Sequence, residues 1–194
     1  MSPALNAPQR EAIRYLDGPL LVLAGAGSGK TRVITQKIAY LVQDCGFAPQ
    51  NVAAITFTNK AAREMQERVA KLMPGDSAAK LQISTFHSLG VRILREEAKH
   101  LGFKPRFSIF DSADCAGIVD KGAVRRLQAI ISNWKNALLT PEAAKAAARD
   151  EHEALAAQVY LSYDATLRAY QAVDFDDLIR LPVELFANHP EVCE

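Results

Sequence analysis

The feature that most constrains this chain is a glycine-rich loop that follows a short apolar run near the N-terminus. The run occupies residues 20–23, and the loop continues as Ala-Gly-Ala-Gly-Ser-Gly-Lys-Thr over residues 24–31. An apolar run of this length predicts a buried strand, and apolar residues recur at helical spacing directly after the loop. A strand, a glycine-rich loop and a helix in this order are typical of a phosphate-binding loop.

The residue types of the loop suit a nucleotide and its metal ion. Backbone N–H groups of such a loop form a concave anion site, to which the helix N-terminus adds its dipole. Lys30 is expected to reach the β- and γ-phosphates of ATP, and the Thr31 hydroxyl to bind Mg²⁺. Ala24 stands where the usual pattern has glycine. The alternative is a glycine-rich turn with an unrelated lysine.

Composition limits the class of protein. The chain has 194 residues, of which 49% are hydrophobic and 23% charged, as expected for a soluble protein of one domain or slightly more. No apolar run is long enough to span a bilayer, and the first residues do not resemble a signal peptide. The cysteines Cys45, Cys115 and Cys193 lack metal-binding spacing, which predicts free thiols in the cytoplasm.

Charge is unevenly distributed along the chain. The formal net charge is +1, but residues 60–106 contain ten basic and five acidic residues, so this segment carries +5 and the remainder −4. A locally basic segment suits a surface that follows a phosphate backbone. It suits a solvated helix surface equally well.

The order of predicted elements indicates an α/β fold. A first helix is expected with Asn6 as its N-cap and Pro8 in its first turn. Strands are expected over residues 51–57 and 81–85, and helices over 59–73 and 86–100. Strands that alternate with helices imply a parallel sheet with helices on both faces.

A helical region is predicted to interrupt this pattern. Residues 111–172 read as successive helices without a strand, including one that opens at Thr140-Pro141 and one over residues 151–170, with Trp134 packed between helices. The predicted domains are therefore a motor portion over residues 1–102, a helical insertion over 103–172, and a return segment over 173–194.

Gln9 stands out in the first helix. A glutamine amide can accept a hydrogen bond from adenine N6 and donate one to N7, so Gln9 is a candidate for selecting ATP. The alternative is an ordinary solvated glutamine.

Two predicted strand-to-helix junctions combine an aromatic residue with small polar side chains. They read Thr-Phe-Thr-Asn-Lys-Ala-Ala over residues 56–62 and Ser-Thr-Phe-His-Ser over residues 84–88. Loops at the carboxyl ends of parallel strands form the ligand face of an open α/β sheet, and bases stack on aromatic rings. Together they favour a track for single-stranded nucleic acid. In the alternative, Phe57 and Phe86 lie in the core and the polar residues are helix caps.

The segment 173–179 contains three aspartates, Asp174, Asp176 and Asp177. Three neighbouring carboxylates suggest a metal site. Capping of a helix by Asp174, with acidic residues in the first turn, is the simpler interpretation and the one we favour.

These motifs, taken in order, resemble the amino-terminal part of superfamily 1 DNA helicases of the UvrD/PcrA/Rep group, and most of all its Rep branch. Residues 5–9 resemble the adenine-reading Q motif, and residues 24–31 the phosphate loop, in which the family also carries alanine first. The blocks 56–62 and 84–88 resemble DNA-contacting motifs, while 131–136 and 174–178 match the helical insertion and the return from it.

The resemblance implies a RecA-like fold and an ATP-driven motor that moves 3′ to 5′ on single-stranded DNA and opens duplex at junctions, with replication or repair proteins as possible partners. It implies a role for Lys30 and Thr31 in catalysis, with Mg²⁺ on Thr31. The nucleotide-binding set would be Gln9, Ala24, Gly25, Ala26, Gly27, Ser28, Gly29, Lys30, Thr31 and Arg32. The DNA-contacting set would be Phe57, Thr58, Asn59, Thr85 and His87.

One departure from the family bears on activity. Family members continue into a strand ending in Asp-Glu, which holds Mg²⁺ and positions water, and into a second motor domain with an arginine finger; neither follows residue 179 here. Phosphoryl transfer needs these groups together, so the chain alone is expected to bind ATP without significant hydrolysis and to expose an unpaired sheet edge. A non-catalytic nucleotide- or DNA-binding module and a phosphotransferase remain alternatives.

Overall fold

The computed structural model describes residues 4–73, 75–118 and 124–193. The described residues form two compact units, one that ends at Phe86 and one that begins at His87. No described helix is long and apolar enough to cross a membrane. Each unit combines helices with a small parallel sheet, which agrees with the predicted α/β fold in the first unit but not with the all-helical insertion expected in the second.

The first unit contains three helices and two strands. Their bounds are α1 (Ala7–Arg14), α2 (Lys30–Gln43), β1 (Ala53–Thr56), α3 (Asn59–Ala70) and β2 (Gln82–Thr85), with short 3-10 turns at Pro49–Asn51 and Gly75–Lys80. Asn6 caps α1, with Pro8 in the first turn, as the sequence predicted.

The sheet of the first unit has strands β1 and β2, which run parallel with Thr56 opposite Thr85. Its core consists of apolar side chains from the two strands and from the helices that cover them, namely Ile38, Ala39, Val52, Ala54, Met65, Val69, Met73, Leu81 and Ile83. The pairing of β1 with β2 confirms the predicted parallel arrangement and brings the two carboxyl ends to one edge.

The predicted buried strand over residues 20–23 is wrong for this structure. The segment is not in either sheet, and Leu21 and Leu23 are 81% and 86% exposed. A strand buried in a parallel sheet needs a neighbour that supplies hydrogen bonds, and no described strand pairs with this segment. The apolar pattern therefore identified residues suited to burial without identifying the partner that would bury them.

The second unit is mainly helical. Its elements are α4 (Phe86–Glu96), whose first residue ends the first unit, β3 (Ser108–Ile109), α5 (Ser112–Ile118), α6 (Val124–Asn136), α7 (Pro141–Ala147), α8 (Glu151–Ala169), β4 (Ala172–Val173) and α9 (Asp177–Asn188). Two 3-10 turns, Ala98–Leu101 and Pro190–Cys193, follow α4 and α9. The helices predicted to open at Thr140-Pro141 and at residue 151 are confirmed.

One prediction for the second unit needs correction. The insertion over residues 103–172 was expected to be entirely helical, but β3 lies within it and pairs in parallel with β4, which begins at its last residue, through two residues on each side. The described residues between 111 and 171 lack strands, as predicted. So short a pairing leaves no periodicity in the sequence, because two residues cannot establish an alternation.

Apolar side chains from α5, α6, α7 and α8 form the main core of the second unit. Trp134 stacks on Tyr160 with ring centroids 6.3 Å apart, which confirms the predicted packing of Trp134 between helices. All three cysteines are free, as predicted.

Candidate nucleotide and nucleic-acid sites

The glycine-rich loop leads directly into α2. Gly27 and Gly29 adopt left-handed backbone angles, with φ of 74° and 84°, and Gly29 is the N-cap of the helix. Only glycine adopts this conformation at little cost. Lys30 and Thr31 therefore open the first helical turn, where backbone N–H groups lack helical partners and suit an anion.

The Lys30 ammonium turns back onto the loop. Its Nζ donates to the carbonyl oxygens of Ala24 at 2.9 Å and Gly25 at 2.7 Å, and the Ser28 hydroxyl also donates to Gly25 at 2.7 Å. Lys30 is exposed, so exchanging a carbonyl for a phosphate oxygen needs only a rotation of its flexible side chain.

Gln9 joins α1 to the loop. Its Oε1 accepts from the backbone N–H of Asn6 at 3.0 Å, and its Nε2 donates to the carbonyl of Ser28 at 3.0 Å. The amide keeps one hydrogen and one acceptor direction unused in these bonds, which is what a pair with adenine requires.

A cavity of about 370 Å³ lies between α1 and the loop. Its lining is made of Ala4, Asn6, Gln9, Gly27, Ser28, Gly29 and Arg32. The volume falls within the usual range of small-ligand sites. The structure thus brings part of the predicted nucleotide set together at this cavity, and no carboxylate is part of its lining. The predicted residues in the lining are Gln9, Gly27, Ser28, Gly29 and Arg32, whereas Ala24, Gly25, Ala26, Lys30 and Thr31 lie outside it.

Two aromatic rings stand at the carboxyl edge of the first sheet. Phe57 follows β1 and is 93% exposed; Phe86 follows β2 and is 53% exposed. Their ring centroids are 6.5 Å apart with planes tilted by 53°. The alternative that these phenylalanines belong to the core is therefore wrong, and both rings are free to stack on a planar group.

The small polar residues of the two loops differ in role. The Thr58 hydroxyl accepts from the Ala61 N–H at 3.1 Å and caps α3, while Asn59 is exposed at the first helical position. Thr85 is only 6% exposed. Of the neighbouring Thr85 and Phe86, it is thus Phe86 that faces solvent.

His87 stacks on an aromatic residue that sequence reasoning did not select. The rings of His87 and Phe175 lie 4.2 Å apart at an angle of 28°, and Phe175 is 60% exposed. The available signal was an aromatic residue between the aspartates at a helix start. That cluster was interpreted only as a cap, so the phenylalanine was passed over.

A buried ion-pair network surrounds the segment that carries Phe175. Lys135 has no exposed surface, and its Nζ lies 2.6 Å from Oδ2 of Asp174 and 2.9 Å from Oδ2 of Asp177. The hydroxyl of Tyr163 donates to Asp174 at 2.8 Å, and Arg180 pairs with Asp177 at 3.0 Å. The network fastens α6 and α8 to the start of α9.

The favoured interpretation of the aspartates as caps is confirmed in part. Asp174 Oδ1 accepts from the backbone N–H of Asp177 at 2.9 Å, and Asp177 lies in the first turn as predicted, but the N-cap position of α9 is Asp176, whose side chain makes no capping hydrogen bond. Sequence reasoning missed that Asp174 and Asp177 share a buried lysine. Burial raises the pKa of the Asp174 carboxyl, helped by the neighbouring Asp177 charge. Burial also opposes ionisation of Asp177, but Lys135 and Arg180 outweigh it and hold its pKa below the usual value.

Comparison with known proteins agrees with these features. Residues 5–194 match the UvrD/REP helicase N-terminal domain. The chain is 48% identical to the ATP-dependent DNA helicase Rep of Salmonella typhimurium over 200 residues, which cover 98% of this chain and 30% of that helicase. It is also 48% identical to Rep of Escherichia coli, covering 97% of this chain and 29% of the relative.

The likeness extends to a second kind of helicase. The ATP-dependent DNA helicase PcrA of Staphylococcus aureus is 47% identical over 201 residues, which cover 98% of this chain and 27% of that protein. The chain spans less than a third of the length of these relatives and corresponds to their N-terminal part. With the family match over nearly its whole length, this chain belongs to the UvrD/REP helicase family.

Proposed function

We propose that this chain is the ATP-binding portion of a DNA helicase that translocates 3′ to 5′ on single-stranded DNA. The observation that carries the proposal is one unit that combines a phosphate-binding loop with two exposed aromatic rings at the carboxyl edge of its sheet. We assign residues 1–102 to a RecA-like motor portion, 103–172 to a helical insertion and 173–194 to the return. The relatives are ATP-dependent DNA helicases, which supports ATP and DNA as ligands.

The nucleotide half of the proposal rests on the loop and on Gln9. The unpaired N–H groups at the start of α2 suit phosphates, and Lys30 supplies a cation at the loop. The adenine would lie against Gln9 and Arg32 in the adjoining cavity. Thr31 offers one hydroxyl to Mg²⁺, which would neutralise charge on the β- and γ-phosphates.

The proposed binding of single-stranded DNA rests on aromatic residues that are exposed to solvent. Phe57 and Phe86 present rings for base stacking, and Asn59 and Lys60 are exposed at the start of α3, where side chains and N–H groups reach phosphates. In the second unit, His87 and Phe175 form a stacked pair to which we assign the same role. Thr58 and Thr85 would act mainly by holding the loops.

By itself the chain should bind nucleotide and hydrolyse it negligibly. Among the described residues, neither the loop nor the second cavity beside it, which Lys30 helps to line, includes a carboxylate that could position an attacking water. An arginine finger alone contributes about 10³–10⁵ in rate, so a site without these groups loses most of its catalysis. Full motor activity would require the remaining parts of these helicases, because the chain spans less than a third of their length.

A single-strand binding experiment tests the DNA half. Fluorescence anisotropy with a labelled oligothymidine would compare the wild type with Phe57→Ala, and Phe47→Ala would serve as a control because Phe47 is another exposed phenylalanine of the first unit. Loss of one stacked base costs about 1–3 kcal/mol, or roughly 5- to 150-fold in affinity. Equal weakening by both variants, or by neither, would reject the assignment of Phe57.

A further inference from the structure

Three side chains with metal-binding atoms converge at one end of the second unit. His100 lies in the 3-10 turn after α4, His189 is the C-cap of α9, and Glu191 lies in the following 3-10 turn. Nδ1 of His189 is 3.0 Å from Oε1 of Glu191, and Nδ1 of His100 is 3.9 Å from the same oxygen. One atom from each residue lies within 4.8 Å of the others.

These separations are close to those of a zinc site. With bonds of about 2.0–2.1 Å, ligand atoms of a tetrahedral zinc ion lie about 3.3 Å apart. The carboxylate oxygen is already near that distance from both imidazoles, and small side-chain rotations of His100 and His189 would complete the triangle. Two imidazoles and one carboxylate form a donor set typical of zinc, with a fourth position for water.

A fourth residue orients one of the imidazoles. His100 presents Nδ1 to Glu191 and Nε2 to Glu97, whose Oε2 is 3.5 Å away. Metal-binding histidines commonly present their second nitrogen to a carboxylate, which fixes the ring and strengthens it as a ligand. Glu97 occupies the position of this carboxylate partner for His100.

The two imidazole rings lie together beside the Glu191 carboxylate. Both histidines are partly buried and their rings lie 4.7 Å apart. A simple imidazole–carboxylate hydrogen bond explains one histidine at Glu191, but not the convergence of two histidines with a second glutamate behind them.

We propose that His100, His189 and Glu191 form a binding site for Zn²⁺ or a similar borderline divalent cation, with Glu97 as a positioning residue. The ion would link the turn after α4 to the end of α9. Because a ligand that binds only the folded state stabilises it, zinc would raise the thermal stability of the chain.

Metal titration of the untagged chain tests the site. After treatment with chelator, equilibrium dialysis against Zn²⁺ should give one ion per chain, and Co²⁺ should give the visible spectrum of a nitrogen–oxygen site without thiolate charge-transfer bands. His100→Ala and His189→Ala should each weaken binding at least tenfold, and Glu97→Gln about tenfold. His152→Ala is the matched control, since His152 is exposed on α8.

A conservative variant keeps the test independent of folding. Glu191→Gln changes an exposed side chain, retains its shape, and should remove the zinc-dependent rise in melting temperature while circular dichroism stays that of the wild type. The proposal is overturned if the wild type takes up no zinc, if the two histidine variants bind as the wild type does, or if cobalt spectra show thiolate ligation.

Discussion

Replacing Lys135 with methionine tests the ion-pair network that holds α9. The change keeps most of the aliphatic length and removes the ammonium, whose nitrogen lies 2.6 Å and 2.9 Å from two carboxylates. Lys135 and the two aspartates are buried, so water cannot replace the lost cation. Lys135→Met therefore leaves buried negative charge, for which Arg180, beside Asp177, is the remaining cation among the described residues.

The size of the effect follows from this burial. Removing one partner of a buried ion pair costs about 3–5 kcal/mol, because the remaining charge stays desolvated. The total free energy of unfolding of a domain is about 5–15 kcal/mol, so this loss is a large fraction of the stability. The double variant Lys135→Met/Asp174→Asn should recover part of the lost free energy of unfolding, because among the described residues Asp174 has no cationic partner besides Lys135.

Chemical denaturation measures the free energy of unfolding for these variants. Lys145→Met is the control: Lys145 is exposed on α7, and such changes stay within about 0.5 kcal/mol. The pKa of Asp177 is depressed in the wild type, so its stabilising contribution is present above about pH 4 and is lost as pH falls through its lower folded value. The difference in free energy of unfolding between Lys135→Met and the wild type should become smaller at acid pH, because the variant's carboxylates take up protons there. A loss below about 1 kcal/mol at neutral pH would refute the reasoning.

Two other properties of the chain can be measured directly. A Cβ built on Gly90 of α4 would overlap the carbonyl oxygen of Leu178 in α9, so Gly90→Ala should destabilise the protein by about 1–3 kcal/mol, whereas Gly117→Ala in α5, where the Cβ meets open space, should be neutral or stabilising in the same denaturation assay. The purified chain should also show no ATP hydrolysis above background with or without single-stranded DNA; turnover that depends on Lys30 would contradict the assignment.

Local signals in the sequence predicted local structure well. The cap formed by Asn6 and the Thr140-Pro141 start of α7 depend on neighbours within a few residues, so their patterns can be read directly. The two aromatic loops were found for a related reason, since each follows a strand whose residues are recognisable.

Features that depend on distant residues were missed or misjudged. Lys135 resembles an exposed lysine until Asp174, 39 residues later, is brought against it. Phe175 became a candidate site residue only because it contacts His87, and His100 only because it contacts Glu191. The prediction of a buried strand over residues 20–23 was wrong for a similar reason. The apolar character of these residues was evident, but their burial depends on a partner strand that the local sequence pattern does not identify.

The central claim, that the glycine-rich loop binds ATP, is tested most directly by calorimetric titration of the chain with ATP and Mg²⁺. The wild type should bind one ATP, and Lys30→Ala should bind about 10- to 100-fold more weakly, because hydrogen bonds to charged groups contribute about 1.5–3 kcal/mol. Lys71→Ala, at the exposed end of α3, should bind as the wild type does. Equal affinity of the wild type and Lys30→Ala would contradict the account.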